Sequence, residues 1–103
     1  MKNLQLLKNI ISEIMEYENK KINFRKFIDK IEIHINAIES DDGLQNVLIS
    51  MWDKLEIPYA LAAERGLKQI PQEDVPKILL VINKMKIVLE NKIKEYEEKS
   101  NPK

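Results

Sequence analysis

Few side chains in this sequence have chemistry to offer, and their spacing narrows it further. His34 is the sole histidine, and there is no cysteine. One heptad after Phe27, at the edge of an apolar stripe, His34 reads as a structural or solvent-edge residue. A general base would need an orienting carboxylate and a nucleophile beside it, and the sequence marks neither. One imidazole without thiolates does not make a zinc site. Glu39, Asp41 and Asp42 crowd one short segment before Gly43. Lacking the alternating oxygen ligands of a calcium loop, they read as a solvated helix cap. Lys20, Lys21, Arg25 and Lys26 form a basic cluster that reads as a solvated face, with nucleic-acid binding as its weaker alternative. Trp52, Glu56, Tyr59 and Ala63 are more informative, because at 100° per residue they share one narrow helix face. Both aromatics can pack in a core while Glu56 bonds an aromatic N–H or O–H, or pairs with a lysine. Part of the same face can also meet a partner, where tryptophan, tyrosine and carboxylates are good anchors. No familiar catalytic motif occurs, so the expectation is a non-enzyme with no cofactor and no metal.

Helices have to position these residues. Leu4, Leu7, Ile10, Ile11 and Ile14 recur at helical spacing, which predicts a first helix over about 3–17 with Asn3 as its N-cap. A second, over about 24–38, follows Asn23 as N-cap. Ile22 and Phe27 are spaced as a hydrophobic staple, and Phe24, Phe27, Ile28, Ile31, Ile35 and Ile38 form its stripe. Asp42 with Gln45 reads as a capping-box variant opening a third helix over about 43–65. Leu44, Val47, Leu48, Met51, Leu55, Tyr59 and Ala62 keep one phase along it, and Gly66 ends it. Pro58 removes one backbone hydrogen bond and crowds the Lys54 carbonyl. A kink is expected there rather than a break, since the stripe continues across it. Pro76 suits the first turn of a fourth helix over about 73–98, and residues 100–103 are expected to fray. That helix is long enough for its end, Ile93 to Lys99, to overhang the others. Four amphipathic helices on short loops predict an all-α fold, a single domain over 1–103 built as an antiparallel four-helix bundle with a proline-kinked third helix and a long fourth helix.

At 103 residues the chain can bury one modest core. Basic and acidic residues balance at 17 each, which argues against a general nucleic-acid binder. The balance conceals a pattern, for residues 39–64 hold six acidic side chains and one basic, while both flanks are mildly positive. A local field of one sign steers partners of the other even when the whole molecule is neutral. No apolar run approaches a membrane span and the first residues lack a signal-peptide core, so no membrane association and a cytoplasmic location are expected.

A resemblance adds to this. Tyr17-Glu18-Asn19-Lys20-Lys21-Ile22 followed by Phe24-Arg25-Lys26-Phe27-Ile28, and Trp52-x-x-Leu55-Glu56-x-x-Tyr59-Ala60 before an acidic-capped last helix, form one pattern. Over about residues 4–95 it resembles the small helical immunity proteins encoded beside polymorphic bacterial toxins, such as those of contact-dependent growth inhibition systems. The resemblance implies a non-enzymatic inhibitor that binds one cognate toxin domain and occludes its active site or substrate surface. Many such toxins are nucleases with basic clefts, which the acidic block would suit. The partner-binding residues expected on this basis are Glu39, Asp41, Asp42, Asp53 and Glu56, with Trp52 and Tyr59 as anchors. The competing expectation is a homo-oligomeric adaptor, a homodimer joined through Leu89, Ile93 and Tyr96 at the overhanging end of helix 4.

Overall fold

Apolar residues at every third or fourth position give each segment one face to bury, and helices satisfy that pattern. The computed structural model describes residues 2–40, 42–67 and 70–100. It has four α-helices, α1 (Lys2–Glu18), α2 (Phe24–Asn36), α3 (Leu44–Glu64) and α4 (Val75–Ser100), with a 3-10 turn over Gln72–Asp74 leading into α4. No strand occurs among the described residues, and no helix there is long and apolar enough to cross a membrane.

Side-chain pairs fix the arrangement. Glu13 of α1 meets Lys30 of α2 at 3.4 Å, and α4 runs antiparallel along α1, with Lys86 at Glu18 and Lys8 at Glu97. Between α2 and α3, Phe24 lies against Tyr59 at one end and Gln45 reaches Ile35 at the other. The helices therefore form an antiparallel ring, α1–α2–α3–α4, around one core. Leu7, Ile10, Ile14, Phe27, Ile31, Ile35, Leu48, Leu55, Ile82, Met85 and Leu89 are shut off from solvent in it. The predicted stripes of α1 and α2 point inward, while Ile33, which lies off its stripe, is exposed. Val47, a stripe member of α3, faces solvent, as do Val75 and Leu79 of α4.

Four local expectations are corrected. Asn3 lies inside α1 and does not cap it. Its side chain accepts from the Glu39 N–H at 3.0 Å and donates to the Glu39 carbonyl, so it holds the α2–α3 loop. Residue 43, not 42, is the N-cap of α3, at φ 80°, a left-handed conformation that glycine adopts without strain. Asp42 still accepts from the Leu44 N–H at 3.1 Å, but Gln45 does not close a capping box. Its amide donates instead to the carbonyls of Ile35, Asn36 and Ile38 at 3.1, 3.2 and 3.1 Å. It thereby caps the end of α2, which stops at Asn36 and not at residue 38. Ile38 stays buried outside the helix. The fourth correction concerns the end of α4. Leu89 and Tyr96 are buried, Ile93 packs on the core and Glu97 pairs with Lys8, so α1 covers that end and no overhang exists there. Leu89 and Tyr96 are therefore core residues, and Ile93 is half-buried, which leaves these three little exposed surface. Residues 101–103 of the expected frayed tail lie outside the described residues.

Asn23 caps α2 as expected, accepting from the Lys26 N–H at 2.8 Å, and Ile22 packs on the core beside it. α3 runs unbroken across Pro58.

Candidate functional site

The expected acidic epitope is not assembled. Glu39 and Asp42 lie at the end of the bundle where α2 passes into α3, and Tyr59 lies near its opposite end. Fifteen residues of helix separate Gly43's neighbour Leu44 from Tyr59, about 22 Å at the helical rise. Both loop acids already have counter-charges. Glu39 pairs with Lys2 at 3.3 Å, and Asp42 pairs with Lys92, which also meets Glu95. The Lys92 ammonium, with the Ser40 hydroxyl and the Leu44 N–H, holds the Asp42 carboxyl well below the ordinary aspartate range. Asp41 lies outside the described residues. Asp53 is exposed and Glu56 half-buried, and neither has an ion pair among the described residues. Trp52 is half-buried and its indole N–H donates to the Ile28 carbonyl at 2.9 Å, not to Glu56. That bond fixes α3 against α2, so the packing reading of Trp52 holds.

Tyr59 belongs to something else. At the end of the bundle where α1 turns into α2, four aromatic rings from three helices cluster. Tyr17 stacks on Phe27 with centroids 4.8 Å apart and meets Phe24 edge-on at 5.5 Å. Phe24 in turn lies 6.2 Å from Tyr59. Burial in this cluster pushes the Tyr17 hydroxyl pKa up. Beyond the rings the surface opens into a cleft of about 510 Å³, walled by Tyr17, Phe24 and Tyr59 on one side and by Ala62, Ala63, Leu67, Ile70 and Val75 on the other. Tyr17 and Asn23 also line a second, shallower hollow of about 650 Å³ with Glu18, Lys20, Lys21, Ile22 and Leu79.

The two hollows exist because α4 outruns α1. Lys86 already meets Glu18, the last residue of α1, at 2.7 Å. α4 begins at Val75, about three helical turns earlier, and along those turns α1 no longer covers it. Leu79, at 44% exposure, is left facing the gap. The chain closes α3 with Gly66 in the left-handed region (φ 73°) and a Leu67 N–H bond to the Ala62 carbonyl, which turns Leu67 toward the cleft. Charge at the rim is of one sign. Lys20, Lys21 and Arg25 line the hollows, and the acid among the described lining residues, Glu18, is neutralised by Lys86. Arg25 approaches Asp29 only at 4.0 Å, with both side chains largely exposed.

Sequence reasoning missed this cleft although it singled out Tyr59 and the Lys20, Lys21, Arg25 cluster separately. The signal was that both flank the same structural junction. Comparison of the chain with known protein families, with curated proteins and with solved structures gives no match. The cleft and the adjoining hollow combine apolar lining residues with the cations Arg25, Lys20 and Lys21.

Proposed function

We propose that the chain is a binding protein of the immunity class, which captures a cognate bacterial toxin domain, a nuclease being the expected activity, and covers its active site or substrate surface. The observation that carries the binding part is the cleft between the helices and their connections, with Ala63, Leu67, Val75 and, in the adjoining hollow, Leu79 left in solvent. Exposed apolar side chains grouped around a concavity and rimmed by charge mark a surface that gains from being covered. The resemblance of the Tyr17–Ile28 and Trp52–Ala60 segments to immunity proteins supports the choice of partner. The acidic loop supports it less, because Lys2 and Lys92 already answer Glu39 and Asp42.

Co-expression with the toxin domain encoded by the neighbouring gene is the test. The expected result is survival of the host cell and a stoichiometric complex on gel filtration. A neighbouring gene that encodes no toxin domain, or a toxin that kills and elutes separately, overturns the reading.

A further inference from the structure

We infer that the cleft between the α1–α2 turn and the start of α4 seats an acidic amphipathic helix of the partner protein. The inference rests on the proposed binding function and names the chemistry of the segment bound.

Three observations lead to it. The first is charge. Arg25 lines the cleft, 4.0 Å from Asp29, and Lys20 and Lys21 line the adjoining hollow, where the carboxylate of Glu18 is occupied by Lys86 at 2.7 Å. A cationic rim around a low-dielectric wall favours acidic residues flanking an apolar anchor and opposes basic ones. The second is the nature of the walls. Tyr17 is stacked on Phe27 and Tyr59 leans on Phe24, so beside these packed rings the cleft offers the aliphatic side chains of Ala63, Leu67, Ile70 and Val75, with Leu79 in the adjoining hollow. Aliphatic walls suit leucine-like anchors, whereas a single-stranded nucleic acid is held by free aromatic faces on which bases stack. The third is the backbone. The walls come from helices and their connections, and the described residues hold no strand whose edge could pair with an extended peptide. An extended segment laid on aliphatic walls would bury amides without partners, while a helix satisfies its own.

The test uses the full chain, labelled with ¹⁵N, and three probes. One is a synthetic helical peptide with Leu at i, i+3, i+4 and i+7 and Glu on its other faces. The second replaces every Glu with Lys, and the third is an oligothymidine. The Glu peptide is expected to shift the amide signals of Phe24, Ala63, Val75 and Leu79, and its affinity is expected to fall about tenfold at low salt in Lys21→Glu/Arg25→Glu. Those two positions are exposed, so the variant keeps the fold. Ala63→Gln, also at an exposed helix position, is expected to weaken the same peptide without changing the salt dependence. Equal binding of the Lys peptide, shifts confined to another face, or displacement of the Glu peptide by oligothymidine would overturn the assignment. The toxin domain separates this inference from the function. If it binds the native chain and both variants equally, the cleft assignment fails and the immunity reading stands. If it does not bind the native chain, the immunity reading fails and the peptide titration alone decides the cleft.

Discussion

Asp42 shows how far one residue's role can depend on distant neighbours. Its carboxylate accepts from the first N–H of α3, from the Ser40 hydroxyl and from Lys92 fifty residues on. All three interactions favour the charged form, so its pKa is lower folded than unfolded. A group depressed in this way contributes stability above its unfolded pKa, about 4, and loses that contribution as pH falls through the range below it. Asp42→Asn is therefore expected to cost roughly 0.5–1 kcal/mol at pH 7, the pair being partly solvated, and less at pH 2, where the unfolded chain has already taken up the proton. Urea midpoints at the two pH values check it; an equal loss at both would mean that the charge is irrelevant. Lys92 contributes in the opposite sense, since Asp42 raises its pKa and the benefit fades only in strong alkali. The Asn23 cap could be read from sequence because its partner, Lys26, is three positions away. The roles of Asn3, Asp42 and Trp52 could not, because their partners Glu39, Lys92 and Ile28 are adjacent only after folding.

Helices are the level at which the sequence is most legible. Each apolar stripe with 3.6-residue spacing became a helix within a residue or two of its expected limits, and the phase of α2 correctly left Ile33 outside. Legibility failed at the joints. Gln45, placed for a capping box with Asp42, turns back on α2, whose terminal carbonyls offer it three acceptors at once. Gln45→Ala takes this donor from the carbonyls of Asn36 and Ile38, while Ile35 keeps the Ile38 N–H, and is expected to cost about 1 kcal/mol, measurable as a lower melting temperature. Pro58 makes the opposite prediction. α3 continues through it, so the bond that residue 58 would donate to the Lys54 carbonyl is missing from an intact helix. Pro58→Ala restores it and is expected to raise stability by about 1–3 kcal/mol in urea. A loss of stability would show that the proline ring contributes packing worth more than the bond.

At the scale of the whole molecule, the register between helices matters more than any one of them. Helix lengths were readable, and from them an overhang was expected, but its direction depends on which end of α4 meets α1. Lys8–Glu97 and Glu18–Lys86 place the C-terminal half of α4 on α1 and leave its first turns uncovered. The surplus length of α4 therefore lies beside the α1–α2 turn, next to the two hollows. Leu89, closed off from solvent, is then a core residue, and Leu89→Ala is expected to cost about 2–5 kcal/mol. Scattering and denaturation together check this, because an interface residue would change the mass at little cost to the fold. The acidic block of residues 39–64 was legible as composition, but the counter-charges that two of its members meet were not. Lys2 and Lys92, from far along the chain, neutralise part of it. The uneven cover along α4 also divides the molecule by its dynamics. Amides of Ile10, Ile31 and Leu89, ringed by other helices, are expected to meet deuterium only when the whole bundle opens, whereas those from Val75 to Leu80, where Val75, Leu79 and Leu80 are exposed and Ile78 is buried, are expected to need only the first turns of α4 to lift away. Native-state exchange should show the second group opening at a fraction of the global free energy, and a bound partner should slow it first. The cleft proposed for recognition would then also be the part of the fold that a partner has most to stabilise.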